Sequence, residues 1–111
     1  MQGEFIEADV TLLPTEQGGR KHAITPGVYR PHLRNDPNGE LLGVQFIEGD
    51  SLAPGGRGVW IAELMYTDTG IDYSSLVPGS LSEIIEGHAI GHARVIHRWT
   101  EPESRIRRRA T

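Results

Sequence analysis

The segment Phe5–Leu13, FIEADVTLL, carries two kinds of side chain at alternating positions. One face would hold Ile6, Ala8, Val10 and Leu12, and the other would hold Phe5, Glu7, Asp9 and Thr11. A period of two is typical of a strand buried on one side, because successive side chains of a strand point to opposite faces. The segment therefore predicts a half-buried strand at the start of the chain.

Short apolar segments separated by turn residues predict further strands. VYRPHLR (28–34) alternates like the first segment, with one face formed by Tyr29 and Leu33 and the other by Arg30, His32 and Arg34. Pro31 lacks the N–H of a strand ladder, so it predicts a sheet edge or a bulge. The remaining predicted strands are ELLGVQFIE (40–48), VWIAELMY (59–66), LSEIIE (81–86) and AIGHARVIHRW (89–99). LSEIIE also fits one helical turn opened by Ser80.

Glycine and proline place the predicted turns. NDPNG (35–39) predicts a hairpin connection, APGGRG (53–58) a turn, and Pro14–Gly19 a loop. Gly43 predicts a bulge or a close backbone approach, and a bulge at Gly91 would explain why the last strand has no constant phase.

About six short strands, without a convincing long helix, favour an all-β domain built as one small antiparallel barrel or sandwich. Closure into a barrel removes exposed strand edges, which favours the barrel. The 111 residues suit one domain, and 14 glycines with 7 prolines suit a chain rich in turns. We expect the barrel to cover residues 1–99 and a basic, flexible tail to cover residues 100–111.

The composition also bears on location. Without cysteine, disulfides and thiolate metal sites are excluded, which fits the cytoplasm. The first residues, MQGEFIEADV, lack the basic and apolar regions of a signal peptide. No apolar run approaches the roughly 18 residues of a membrane span. We therefore expect a cytoplasmic protein without membrane contact.

The charge of the chain is unevenly distributed. The net charge is −4, and removing four positive charges near the end of the chain leaves −8 for the remainder. Those charges belong to Arg105, Arg107, Arg108 and Arg109. An acidic body argues against a general nucleic-acid binder, so contact with phosphate would need a local basic stripe. The basic tail fits an arm for RNA or for an acidic protein surface, or a solubilising end.

Five segments follow one another in a distinctive order: FIEADVTLL, EQGGR with His22, YRP, APGG and EGHAIGHARV. This order, over residues Glu4 to Arg98, resembles the third, C-terminal domain of bacterial elongation factor Tu. That domain has an acidic-Gly-Gly-Arg-His turn, a Tyr-Arg-Pro strand, a Pro-Gly-Asp turn and a closing Glu-Gly-Arg-Thr-Ile-Gly strand. The resemblance implies a small six-stranded antiparallel Greek-key barrel that packs on a GTPase domain and helps to grip tRNA.

The same resemblance implies an RNA-facing surface. The matching positions are Arg20, His22 and Arg30, and more loosely His32 and Arg34. The chain departs from the family where Lys21 is inserted between Arg and His, where Gly56 replaces Asp, and where His88-Ala89 replaces Arg-Thr. Lys21 is the only lysine and does not stand in a P-loop, so no GTP binding is expected.

The residues themselves leave several interpretations open. Arginine donors match phosphate and carboxylate equally well, and a tight turn with a solvated strand face explains the same residues without function. His88 and His92 would lie about 13 Å apart on a strand, which argues against a metal site. Catalysis has no support from acid spacing or from a serine elbow, so no cofactor and no enzyme activity are expected.

Three functions remain as hypotheses. The favoured one is a stand-alone, non-catalytic binding module that docks on a protein partner, as a bacterial translation-associated regulator or an immunity-type protein. The alternative is a tRNA- or RNA-binding module that uses the basic strand face. The irregular segment Tyr66–Ser80 is interpreted as a lid or a short strand, and a small enzyme that uses it as a lid is a reserve. A Pro31 edge would also allow a homodimer.

Overall fold

The computed structural model describes residues 2–36 and 39–102, and the structural statements below concern these residues. Within them the chain forms β1 (Gln2–Leu12), β2 (His32–Arg34), β3 (Leu42–Glu48), β4 (Arg57–Leu64), β5 (Leu81–Glu86) and β6 (His88–Pro102). A short 3₁₀ turn, Thr15–Gln17, follows β1. The predicted all-β fold class is confirmed, and LSEIIE is a strand rather than a helical turn.

The described strands pair in the order β1-β4-β3-β2-β5-β6, and β6 pairs with β1 to close an antiparallel barrel. The chain leaves β1 and passes β4 and β3 before it forms β2, and it passes β3 and β2 between β4 and β5. These connections between non-neighbouring strands make the topology a Greek key, as expected. Because the described strands close on themselves, none of them presents a free edge.

The core lies inside the barrel and begins with the inward face of β1. Ile6 and Val10 are fully buried, as the alternation predicts. Trp60 of β4 lies beside Phe46 of β3, with ring centroids 5.5 Å apart. Gly49 packs so closely on the Trp60 ring that a Cβ at this position would overlap it. Trp60 therefore belongs to the core.

Phe5 belongs to the outer face of the barrel, outside the core cluster, although only 1% of its surface is exposed. Its cross-strand partner Trp99 stacks on it, with ring centroids 5.9 Å apart. Trp99 is half-buried. An outward aromatic pair therefore adds apolar burial over the pairing of β1 with β6.

The prediction that Pro31 marks a sheet edge or a bulge is wrong. Pro31 is buried immediately before β2, and its carbonyl accepts the Val44 N–H at 3.1 Å. β2 is paired on both sides, with Leu33 opposite Leu42 of β3 and Ile84 of β5. Pro31 stands opposite Val44, between the Tyr29–Phe46 bridge and the His32–Gly43 pair, so it takes part in this pairing through its carbonyl alone and its missing N–H removes one bond. The homodimer inferred from an edge at Pro31 therefore loses its structural basis.

Bulges explain the irregular phase of β6. The described β6 has two register shifts, which leave Ile90 and Ile96 as the extra residues against β5 and β1. The bulge predicted at Gly91 lies one residue earlier, and Gly91 itself packs where a Cβ would overlap the Thr11 carbonyl oxygen. Gly43 is the close approach that was expected, although its neighbour is the ring of Tyr66.

The barrel extends past its expected end at residue 99. β6 pairs with β1 as far as Pro102, which lies opposite Gln2. The predicted flexible tail from residue 100 therefore contributes its first three residues to a strand. The four tail arginines lie outside the described residues.

The segment Tyr66–Ser80 forms turns packed against the barrel and contains no strand, so the prediction of a short strand there is wrong. Tyr73 and Leu76 are buried. The Tyr73 hydroxyl donates to the Gly43 carbonyl at 2.7 Å, and Nη1 of Arg98 donates to the carbonyls of Tyr73 and Leu76 at 2.6 and 3.3 Å. Buried side chains and these bonds hold the segment against the barrel.

Candidate binding surface

The two glycines of EQGGR meet different structural requirements. Gly18 ends the 3₁₀ turn with a φ of 92°, a left-handed conformation that glycine adopts without strain. Gly19 does not have a positive φ, but its N–H donates to the Pro14 carbonyl at 3.0 Å. A Cβ on Gly19 would overlap the Leu13 carbonyl oxygen. The turn thus needs glycine once for conformation and once for space.

This turn places Arg20 in a group that we call the Arg20 cluster, formed by Arg20, Tyr29 and Glu86. Nη1 of Arg20 lies 2.6 Å from Oε2 of Glu86, and the two side chains are 22% and 32% exposed. The guanidinium carbon of Arg20 lies 4.7 Å from the centroid of the Tyr29 ring. The Tyr29 hydroxyl donates to the same Glu86 oxygen. Two donors therefore converge on one carboxylate.

Burial and Glu86 set the protonation states of the Arg20 cluster. Burial alone would lower the pKa of Arg20, but the hydrogen bond and the charge of Glu86 outweigh it and raise that pKa. Burial, followed by the hydrogen bond and charge of Glu86, raises the pKa of Tyr29. Arg20 therefore stays charged at neutral pH, and Tyr29 stays a hydrogen-bond donor.

Further bonds tie the turn to the short β5–β6 connection. Nε2 of His88 lies 2.8 Å from the carbonyl oxygen of Gly18. Nε of Arg20 donates to the His22 carbonyl at 3.1 Å, while the His22 side chain is exposed. Arg20 thus anchors the β1–β2 connection to the barrel, and His22 faces solvent.

The other sequence-predicted residues are brought together only in part. His32 and Arg34 lie on the outer face of β2, whereas Arg30 is exposed before the strand begins. Nη2 of Arg34 lies 3.3 Å from Oε1 of Glu83 on β5. Because Arg20 and Arg34 each meet a β5 glutamate, the five residues do not form one continuous basic stripe.

The barrel register instead connects Arg34 to a polar row that crosses β2, β5, β6, β1 and β4. In order, the row contains Arg34, Glu83, His92, Thr11 and Arg57. A neighbouring row contains Leu81, Arg94, Asp9 and Val59. Directly opposite residues share a face, with Cβ atoms about 5 Å apart. The pairing therefore gathers side chains that are distant in sequence.

The two rows border a shallow cleft of about 300 Å³, which we call the wall cleft. Its lining residues are Asp9, Thr11, Arg57, Leu81, His92 and Arg94. Arg57 donates to Asp9 in a forked pair of bonds, from Nε at 3.0 Å and from Nη2 at 2.5 Å. Nη1 of Arg94 donates to the Gly79 carbonyl at 2.9 Å. The wall cleft thus combines two guanidinium groups with one carboxylate.

The charge of the wall cleft follows from these bonds. The hydrogen bond from Arg57 lowers the pKa of Asp9 against the opposing effect of burial, and the charges of Arg57 and Arg94 lower it further. Asp9 is therefore ionised at neutral pH, and two positive charges face one negative charge. Beside them, Val59 and Leu81 are 51% and 47% exposed. Arginine is enriched at protein interfaces, where polar groups surround apolar surface.

A second cleft, of about 260 Å³, lies beside the segment 66–80 and is lined by Asn35, Asp36, Gly39, Glu40, Leu42, Asp72 and Ser75. Bonds from the side chain and backbone of Ser74 lower the pKa of Asp72. A general acid needs a raised pKa, so Asp72 is tuned in the opposite direction. Among residues 2–36 and 39–102, no group of three or more His, Asp or Glu is arranged to hold a metal ion.

Sequence patterns located parts of the wall cleft but not the whole. The alternation of β1 places Asp9 and Thr11 outward, as predicted. Arg57 falls in a predicted turn. Because β6 contains bulges, the alternation of its sequence does not show that His92 and Arg94 point outward. The register that joins these strands is not encoded in any one of them.

In the described part of the chain, no helix has the length and apolarity needed to cross a bilayer.

Comparison with known proteins does not assign the chain to a family. No protein-family model matches the chain, and a search of the curated proteins returns no match.

Proposed function

We propose that this chain is a non-catalytic binding module whose barrel docks on a protein partner, in a translation-associated or immunity-type role. The wall cleft is the observation that carries the proposal, because Arg57 and Arg94 stand there beside exposed Val59 and Leu81. The resemblance to the third domain of elongation factor Tu supports it, since that resemblance implies a Greek-key barrel that packs on another protein domain.

The distribution of charge supports a protein partner over RNA. Arg20 and Arg34 already have ionic partners on β5. Glu7 and Asp9 add negative charge to the outer face of β1. Binding to an RNA backbone draws on several cations that release counterions, and neighbouring carboxylates oppose it.

RNA binding is the second candidate, and it rests on Arg30, His32 and His22. All three side chains are exposed. Arg30 offers a guanidinium group that can bind a phosphate. Arg20 is a poor test residue for RNA binding, because its replacement also releases the β1–β2 connection.

Affinity capture with and without ribonuclease separates the two candidates. The tagged chain is incubated with native lysate under gentle conditions, half of the sample is treated with ribonuclease, and retained proteins are identified by mass spectrometry. We expect one protein to be retained in both halves. It should be lost with the double variant Arg57→Glu/Arg94→Glu and kept with Lys21→Glu, which reverses an exposed charge elsewhere.

The opposite results are equally definite. If ribonuclease abolishes capture, and purified tRNA binds in a salt-sensitive manner that Arg30→Ala weakens, the RNA alternative replaces the protein proposal. A chain that retains neither protein nor RNA under these conditions removes both.

A further inference from the structure

The chemistry of the wall cleft defines what a partner must present. We propose that the wall cleft binds a side-chain carboxylate carried on an extended acidic segment of the partner, with an apolar residue two positions away on each side. The inference rests on the proposed function and specifies the partner's binding motif.

The arginines of the wall cleft keep donors for such a ligand. A guanidinium group offers several N–H donors in a planar fork. Asp9 engages Nε and Nη2 of Arg57, and the Gly79 carbonyl engages Nη1 of Arg94. The Arg57 side chain is 71% exposed. A carboxylate can therefore accept charge-assisted bonds from both arginines while their bonds within the protein stay in place.

Asp9 limits the charge that the wall cleft accepts. It lies beside Arg57 and Arg94 in the ionised form, and Glu7 is the preceding outward residue of β1. A phosphate dianion or a nucleic-acid backbone would meet these carboxylates together with the arginines. A single carboxylate balances the one excess positive charge, whereas a phosphate dianion or the successive phosphates of a nucleic acid bring more negative charge than the cleft can balance.

The spacing of the exposed apolar residues fits an extended segment. Leu81 and Val59 stand at the two ends of the row that holds Arg94 and Asp9. Three strand spacings of about 4.8 Å separate these ends by about 14 Å. In an extended segment, residues i−2 and i+2 share a face and lie about 13 Å apart at about 3.3 Å per residue. A segment that crosses the strands can thus place a carboxylate over the arginines and apolar side chains at both ends.

A peptide titration tests this motif on the full chain. The probe is an acetylated and amidated peptide containing Leu-Ser-Glu-Ser-Leu, and its matched control contains Gln in place of Glu. At low ionic strength we expect NMR shifts at the amides of Thr11, His92 and Arg94. The Gln peptide should bind about tenfold more weakly, because it lacks the charge that the arginines recognise. Arg94→Gln should weaken the Glu peptide by a similar factor, and Lys21→Gln should not.

Several outcomes would overturn the inference. Equal affinity for the Gln peptide, undiminished affinity in a folded Arg94→Gln chain, or no shift in the wall cleft at millimolar peptide would each do so. Stronger perturbation of the cleft by inorganic phosphate or by a short RNA would also do so. If Arg57→Gln/Arg94→Gln still retains the protein captured by the unmodified chain, the cleft assignment fails while the proposed docking function stands. If the chain captures no protein but binds the Glu peptide selectively, the cleft assignment stands and the proposed docking function fails.

Discussion

The Arg20 cluster and the wall cleft both pair arginine with a carboxylate, but their surroundings differ. Arg20 lies over the Tyr29 ring and shares Glu86 with the Tyr29 hydroxyl. Arg57 meets Asp9 on an open face of the barrel. An arginine enclosed in this way fixes a loop, whereas an arginine that keeps donors towards solvent can bind a partner. Whether an arginine fixes a loop or binds a partner therefore depends on its neighbours in the fold rather than on its place in a sequence motif.

The largest expected effect lies in the turn that places Arg20, which the wall cleft has no counterpart for. Gly19→Ala should lower the free energy of unfolding by about 3 kcal/mol or more, because the added Cβ overlaps backbone that cannot yield cheaply. Gly18→Ala is the matched control and should cost about 1 kcal/mol, since its added Cβ meets only the strain of a positive φ. Urea unfolding measures both. Equal costs would contradict the distinction between space and conformation.

A smaller effect compares the two carboxylates directly. Glu86→Gln should lower the free energy of unfolding by about 1–2 kcal/mol, because Arg20 and Tyr29 both lose a charged acceptor. Asp9→Asn, in the wall cleft, should leave the urea midpoint at neutral pH nearly unchanged. If Asp9→Asn were the more costly substitution, the roles assigned to the two regions would be exchanged.

The alkaline limit of stability sharpens the contrast further. The pKa of Tyr29 is higher in the folded chain than in the unfolded chain. The contribution of Tyr29 to the free energy of unfolding is therefore complete below about pH 10 and is lost as the pH rises through the higher folded pKa. We expect the free energy of unfolding to fall less steeply above about pH 10 in Tyr29→Phe. Burial also raises the pKa of Tyr73, so part of the slope should remain. Urea unfolding at a series of alkaline pH values checks this, and identical slopes would argue against a buried Tyr29 donor.

The smallest expected effect is at acid pH. The hydrogen bond from Arg57 lowers the pKa of Asp9, so its contribution is present above about pH 4 and is lost as the pH falls through the lower folded value. Asp9→Asn should make the acid decline slightly shallower, and Asp50→Asn, an exposed acid outside the wall cleft, serves as control. Identical changes in both variants would show that Arg57 does not hold Asp9 in solution.

More of the fold than of the candidate site could be predicted from the sequence. Alternation in β1 located Ile6 and Val10 in the core, and the turn residues located most connections. Pro31 misled, because a buried proline can stand opposite a neighbouring strand and pair through its carbonyl alone. The role of Arg20 depends on Glu86, and nothing local to either residue indicates their contact. The wall cleft depends on register across four strands, which long-range pairing decides.

The barrel is not held together evenly, because β2 has only three residues. Its ladder with β3 consists of His32–Gly43 and Leu33–Leu42, whereas the β1–β6 ladder runs from Gln2–Pro102 to Leu12–Gly91. Local opening, and with it amide hydrogen exchange, should therefore start around β2. Arg57 and Arg94 of the wall cleft stand on the well-paired side. A protein that docks there meets a surface that is already rigid, and little conformational entropy is lost when the complex forms.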